Sequence, residues 1–269
     1  MGQTHTVLVF DSGLGGLTVL REIERQRPDL RLTYAADDAA FPYGRLDDRA
    51  LIERVVTVIG RLLENLKPDL AVIACNTAST LALPPLRARF AIPFVGTVPA
   101  IKPACEQSQT KRVSVLATAG TVKRDYTQAL IREFGAGCKV TLVGSERLAS
   151  LAEAMLRGEA VSSADIRAEI EPCFVDDGAR TDTIVLACTH YPLILERFVE
   201  LAPWPVTWID PAEAIARRAS SLLTGQGTPA KREVAAYFTS GKDPNEALLR
   251  SLAFFDVKPA KSSDLLLPV

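Results

Sequence analysis

The sequence lacks a long apolar run. No stretch approaches the ~18 apolar residues that a membrane-spanning helix needs, so no membrane partner is expected. It also lacks a basic excess: 31 Lys+Arg stand against 32 Asp+Glu, a net charge of -1. Proteins that grip nucleic acid usually carry surplus positive charge, so no nucleic-acid partner is expected either. The stretch Met1 to Phe10 has neither the basic start nor the apolar length of an export leader, because Val7-Leu8-Val9-Phe10 runs straight into Asp11. Met1-Gly2 with Thr6 formally fits a myristoylation pattern, a weak one. The five cysteines, Cys75, Cys105, Cys138, Cys173 and Cys188, are odd in number, widely spaced and free of any C-x-x-C pair. Free thiols in a cytoplasmic protein follow, and a zinc site does not. No G-x-S-x-G, H-E-x-x-H or G-x-x-x-x-G-K-[ST] motif occurs.

What is present belongs to a folded chain. Hydrophobic residues make up 48% and charged residues 23% of 269 positions, which excludes disorder and allows one large domain or two ordinary ones. Short apolar runs at Val7-Phe10, Leu32-Ala35, Leu70-Ala74, Val113-Leu116, Val140-Val143 and Thr183-Ala187 are Val-, Ile- and Leu-rich on both parities. Such runs suit strands buried on both faces of a parallel sheet. Amphipathic stretches lie between them. Leu51, Val55, Val58, Leu62 and Leu66 share one face of a helix over Asp48-Leu66, and a second helix is expected over Ala212-Leu223. The alternation predicts an α/β fold.

The chain also echoes itself. Val72-Ile73-Ala74-Cys75-Asn76-Thr77 is matched by Val185-Leu186-Ala187-Cys188-Thr189-His190, and Val9-Phe10-Asp11-Ser12-Gly13 loosely by Val115-Leu116-Ala117-Thr118-Ala119-Gly120. Two similar lobes, each a mostly parallel sheet flanked by helices, are expected to face each other across a cleft. Proline-rich turns at Ile92-Pro99 and Pro203-Pro205 mark boundaries, giving a discontinuous first lobe of residues 1–97 plus 208–269 and a second lobe of 98–207.

Cys75 and Cys188 each follow a buried strand, where open α/β sheets bind ligands. A helix N-terminus after each would lower the thiol pKa and make a base or nucleophile available. The other three cysteines read as small apolar packing residues. His190, one of two histidines, lies two residues beyond Cys188 and can take or hold a proton. Asp11 precedes Ser12-Gly13-Leu14-Gly15-Gly16, whose glycines allow close backbone approach to a ligand. The pattern is not G-x-G-x-x-G, and Asp11 would repel a pyrophosphate. Ser12, Asn76, Thr77, Thr118 and Thr189 are neutral groups that can bind a carboxylate or ammonium or simply cap helices. Phe41-Pro42-Tyr43-Gly44 is a turn able to close over a small ligand. Two thiols facing one ligand from opposite lobes suit two-base racemisation: one removes a proton from carbon, the other delivers one to the opposite face.

At these residues the sequence resembles the glutamate racemases of the aspartate/glutamate racemase superfamily. The matching stretches are Phe10-Asp11-Ser12-Gly13-Leu14-Gly15-Gly16, Phe41-Pro42-Tyr43-Gly44, Ala74-Cys75-Asn76-Thr77-Ala78, Leu116-Ala117-Thr118 with Gly120-Thr121-Val122, and Leu186-Ala187-Cys188-Thr189-His190-Tyr191-Pro192-Leu193. The resemblance implies a pyridoxal-independent enzyme, without any cofactor, that interconverts L- and D-glutamate and supplies D-glutamate for peptidoglycan. It implies that Cys75 is the base toward D-glutamate, assisted by Asp11, and Cys188 the base toward L-glutamate, assisted by His190. Substrate contacts carry over to Asp11, Ser12, Tyr43, Gly44, Asn76, Thr77, Thr189 and His190, with Thr118 and Thr121 nearby. The family's auxiliary glutamate falls at Glu153, although Ser145-Glu146 stand where the family has Cys-Pro. The family often forms dimers, so the resemblance admits a homodimer.

Two other readings compete. Aspartate-type racemases carry a Cys-Thr-Glu second motif, where this chain has Cys-Thr-His. A two-lobed binding protein for an acidic amino acid would need the polar cleft but not the paired thiols.

Overall fold

The computed structural model describes residues 4–135, 137–229 and 233–261. The Met1-Gly2 pattern and residues 262–269, expected in the first lobe, lie outside the described residues. The strands are β1 (Thr6–Asp11), β2 (Arg31–Ala36), β3 (Leu70–Ile73), β4 (Phe94–Gly96), β5 (Arg112–Thr118), β6 (Lys139–Ser145), β7 (Thr183–Ala187), β8 (Thr207–Ile209), β9 (Val234–Phe238) and β10 (Val257–Pro259). The α-helices are α1 (Leu17–Gln26), α2 (Asp48–Leu66), α3 (Asn76–Arg89), α4 (Ile101–Gln107), α5 (Ala119–Val122), α6 (Asp125–Phe134), α7 (Leu148–Leu156), α8 (Ser163–Ile170), α9 (Leu195–Leu201), α10 (Ala212–Ser221) and α11 (Glu246–Phe254).

Two parallel sheets result. One has the order β10-β9-β2-β1-β3-β4, the other β6-β5-β7-β8. The period-2 alternation of each strand divides its side chains between two cores. Val7 and Val9 pack with α1, α10 and α11, while Leu8 and Phe10 pack with α2 and α3. In the second sheet Leu116 and Leu186 face one core, Val115 and Val185 the other. The internal echo has a topological basis. In each sheet the chain lays a second strand on one side of the first (β2 on β1, β6 on β5) and then a third on the other side (β3, β7). That reversal is the switch point at which α/β sheets bind ligands. Asp11 and Cys75 stand there in the first sheet, Thr118 and Cys188 in the second.

All six strands expected from sequence form, extended by a residue or two at some ends, except that β3 stops at Ile73, one residue short of the expected Ala74. The four not foreseen, β4, β8, β9 and β10, are short or near sheet edges. β8 carries the second sheet through Trp208 and Ile209, past the expected division after residue 207. β4 forms inside the Pro-flanked stretch read as a boundary.

Helix α2 matches its sequence pattern. The Asp47 side chain caps it by accepting the Ala50 N–H at 2.8 Å, and Lys67 ends it in a left-handed conformation at φ 46°. Leu51, Val55, Val58, Ile59 and Leu62 are buried along one face. Leu51 is fully buried, so Leu51→Ala is expected to cost about 2–5 kcal/mol by chemical denaturation. Among the described residues, no helix is long and apolar enough to cross a membrane.

Candidate active site

Cys75 stands two residues past Ile73, the last residue of β3, and is the N-cap residue of α3. Its sulfur lies 3.6 Å from Ser12 Oγ. The expectation of a lowered thiol pKa fails here. Burial pushes the Cys75 thiol well above its usual range and the Asp11 carboxylate adds to the rise, outweighing the Ala78 N–H and the Ser12 hydroxyl. A helix N-terminus is a partial charge, and it loses to full desolvation.

Asp11 ends β1 and is fully buried. Its Oδ2 accepts N–H bonds from Gly16 at 3.1 Å and Gly13 at 3.4 Å; its Oδ1 accepts from the Thr189 hydroxyl at 3.3 Å. That last bond joins the ends of β1 and β7. The glycine turn therefore wraps a carboxylate of the chain. A Cβ on Gly13 would stand 2.2 Å from Glu153 Oε1, and one on Gly15 2.6 Å from His190 Nδ1. These glycines make room for side chains of the facing lobe.

Cys188 follows β7, but no α-helix starts directly after it. Thr189 and His190 lead instead into a 3₁₀ turn, Tyr191–Ile194. His190 Nδ1 lies 3.9 Å from Cys188 Sγ, and Nε2 lies 2.9 Å from Glu153 Oε1. Glu153, on α7, also accepts the Leu14 N–H at 2.5 Å. Burial alone would lower the His190 pKa, but the bonds to Cys188 and Glu153 outweigh it, and the imidazole is raised well above its ordinary value. Burial alone would raise the Glu153 pKa, but the His190 hydrogen bond and charge bring it below the usual carboxylate range. Both shifts favour the ion-paired form, with the imidazole between Glu153 and Cys188.

Both thiols line one cavity of about 10 Å³, roughly the space of a single water. Ser12, Tyr43, Gly44, Asn76, Thr77, Thr118, Thr189 and His190 line it with them. Phe41 and Pro42, from the turn expected to close over a ligand, and Ala149, which no sequence signal marks, complete the wall. The Phe41 ring lies tilted at 42° to that of His190, with centroids 5.2 Å apart, and Gly44 closes against the Thr118 side chain. Asp11, Thr121 and Glu153 stand behind the wall. Thr121 Oγ1 bonds Thr118 Oγ1 at 2.9 Å and Thr77 Oγ1 at 3.4 Å, so it orients two lining hydroxyls. Asn76 Nδ2 is buried with no hydrogen-bond partner among the described residues, while its Oδ1 accepts from Thr97 Oγ1.

Tyr43 is held from behind. Its hydroxyl donates to Asp37 Oδ2 at 2.5 Å, and Asp37 also accepts from Arg54 and Thr239. No local motif marks that network, because its members are spread from residue 37 to residue 239. Among the described residues, no group of three or more His, Cys, Asp or Glu side chains has a metal-holding arrangement.

The model of the Asp/Glu/hydantoin racemase family matches residues 16–219. The chain is 55% identical to the glutamate racemase of Sinorhizobium medicae over 98% of each chain. It belongs to the glutamate racemase family. It is 52% identical to the glutamate racemase of Brucella canis, over 94% of this chain and 92% of that one. Among racemases of the family with solved structures, the Escherichia coli enzyme in complex with L-glutamate and the activator UDP-MurNAc-Ala superposes with TM-score 0.87, at 40% identity over 97% of this chain and 99% of that one. Glutamate racemase isoform RacE1 from Bacillus anthracis superposes with TM-score 0.78 at 26% identity, over 97% and 98%.

Proposed function

We propose that this racemase interconverts L- and D-glutamate with two thiols and no cofactor, Cys188 working on the L face and Cys75 on the D face. One observation carries the reading: the two thiols line a single small cavity from the ends of β3 and β7, on separate sheets. Starting from L-glutamate, the Cys188 thiolate takes the α-proton as the C–H electron pair passes into the carboxylate. The Cys75 thiol then protonates the opposite face, leaving a Cys75 thiolate and a Cys188 thiol. Solvent exchange or the reverse reaction resets the pair.

The α-proton of a carboxylate is very weakly acidic, so the environment must favour the carbanion-like state. The neutral donors Ser12, Thr77, Thr118 and the free Asn76 Nδ2 suit the substrate's carboxylates. The His190–Glu153 pair holds an imidazole nitrogen 3.9 Å from Cys188 Sγ, where it can exchange a proton with the thiol. Asp11 fits an assisting role near Cys75. A cavity this small must open to admit substrate, and closure around the substrate would exclude water and strengthen each of these interactions. The Escherichia coli relative was solved with L-glutamate bound, and the Cys-Thr-His motif supports glutamate over aspartate. D-glutamate made in the cytoplasm would feed peptidoglycan synthesis.

Protein exhaustively dialysed without pyridoxal phosphate or metal is expected to racemise L-glutamate and to wash deuterium from heavy water into the α position. A binding protein exchanges nothing. Aspartate lacks one methylene, worth about 1–3 kcal/mol, so its kcat/KM is expected to fall at least ~10–200-fold below that of glutamate. Comparable turnover of the two would overturn the substrate assignment.

A further inference from the structure

The segment beyond α10 carries no recognisable motif, yet it reaches the site through α7. The last carbonyls of a helix have no partner within it. At the end of α7, side chains of α11 and its cap take them. Ser251 Oγ donates to the Leu156 carbonyl at 2.8 Å, and Asn245 Nδ2 donates to the Arg157 carbonyl at 3.1 Å. Asn245 Oδ1 caps α11 by accepting the Leu248 N–H at 2.8 Å. Gly158, in the left-handed region at φ +82°, sits so close to Ala247 that an added Cβ would lie 2.7 Å from that residue's Cβ. The backbone of Arg157 is thus tied to the first sheet's last helix.

From this anchor the guanidinium reaches back one turn. Arg157 Nε donates to Glu153 Oε2 at 3.3 Å. That is the oxygen left over, because Oε1 already takes the Leu14 N–H and faces His190 Nε2. A cavity of about 380 Å³, lined by Arg157, Lys242, Asp38 and Phe41 among others, opens on the outer side of this carboxylate. Without Arg157, water there would solvate Oε2 and compete for the carboxylate. The terminal torsion of a glutamate is soft, so a carboxylate held only through Oε1 would twist more freely and keep a less fixed orientation toward His190.

We propose that Arg157, pinned by α11, is a positioning residue that locks Glu153 onto His190 and so serves proton transfer at Cys188 rather than at Cys75. The inference rests on the two-thiol reading above. The Cys75 side is supported by different groups, Ser12 and Asp11.

A racemisation has an equilibrium constant of one, so kcat/KM is equal from both enantiomers and a one-sided defect cannot appear as a one-way loss. It appears in isotope effects. The test compares α-deuterated L- and D-glutamate with wild type, Arg157→Met and Arg157→Lys. Arg157→Met is expected to lower kcat/KM about 10-fold and to raise the isotope effect from L-glutamate, because C–D cleavage at Cys188 becomes more limiting. The effect from D-glutamate should fall, since its labelled bond breaks at Cys75 in the faster step. Arg157→Lys keeps a cation one turn from Glu153 and should recover most of the rate and the wild-type isotope pattern. Ser251→Ala, which keeps the guanidinium but loosens its anchor, should shift the two effects in the same sense by less.

A lower rate with the ratio of the two isotope effects unchanged would mean a general structural role and would overturn the inference alone. So would a shift in the opposite sense. If wild type neither racemises glutamate nor incorporates deuterium, the two-thiol reading falls and this inference with it.

Discussion

Replacing either Cys75 or Cys188 by Ala is expected to stop racemisation, with kcat falling by about 10⁴-fold, the upper range for loss of a positioned acid or base. Inversion needs a base on one face and an acid on the other, and alanine can be neither. The two losses should differ in exchange. With Cys75→Ala the remaining thiol faces the L side, so slow deuterium uptake into L-glutamate survives while D-glutamate stays inert. Cys188→Ala should show the reverse. Asp11→Asn and His190→Asn should lose less, about 10²-fold, because they assist rather than carry the proton. Cys105, Cys138 and Cys173 sit among packing residues of the second sheet's two cores, and their Ala variants should keep near-parental kcat. The outcome that defeats the scheme is a Cys75 or Cys188 variant, folded by circular dichroism, that still racemises at a substantial fraction of the parent rate.

Gly15→Ala should also be damaging, although Gly15 itself carries no catalytic group. The added methyl would stand 2.5 Å from Thr189 Oγ1, 2.6 Å from His190 Nδ1 and 2.7 Å from the His190 backbone nitrogen. Side chains alone cannot relieve this, since one of the three is main chain. The 189–190 segment must retreat, carrying the imidazole away from Cys188 and breaking the Thr189–Asp11 bond. A displacement near 1 Å at a reacting group costs about 10²-fold in rate, so a kcat loss of that order or more is expected. Gly120→Ala is the control: its nearest neighbour is the Gly44 carbonyl at 3.4 Å, an ordinary contact. Equal activity of the Gly15 and Gly120 variants would show that the turn tolerates the methyl and that the facing lobe does not depend on it.

The glycine turn also shows where reading a chain residue by residue stops. Gly13 to Gly16 reads as backbone approaching a ligand, and in the fold the turn instead encircles Asp11 and receives His190 and Glu153 from the other lobe. Both uses need a missing Cβ, so local chemistry cannot separate them. The thiol pKa expectation failed for a related reason. The N-cap position of Cys75 is a local property, but its burial comes from packing in the first sheet's core with residues distant in sequence, and desolvation outweighs the helix terminus.

Local pattern by itself determined the six central strands, the face of α2, and the two cysteines that follow equivalent strands. Each depends on periodicity or on a strand end a few residues away, and both are written along the chain. The short strands β4, β8, β9 and β10 lie at or near the sheet edges, where few residues need burying and the hydrophobic signal is correspondingly weak. The partner of His190 was decided by tertiary structure: Glu153 lies 37 residues away and meets it only once α7 is packed against the end of β7. So was the anchoring of α7 by Asn245 and Ser251, and the hold of Asp37 on Tyr43 together with Thr239. Hydrogen bonds and ion pairs between distant segments leave no period in a single sequence. They exist because folding brings separately patterned segments together and leaves buried polar groups that must find each other.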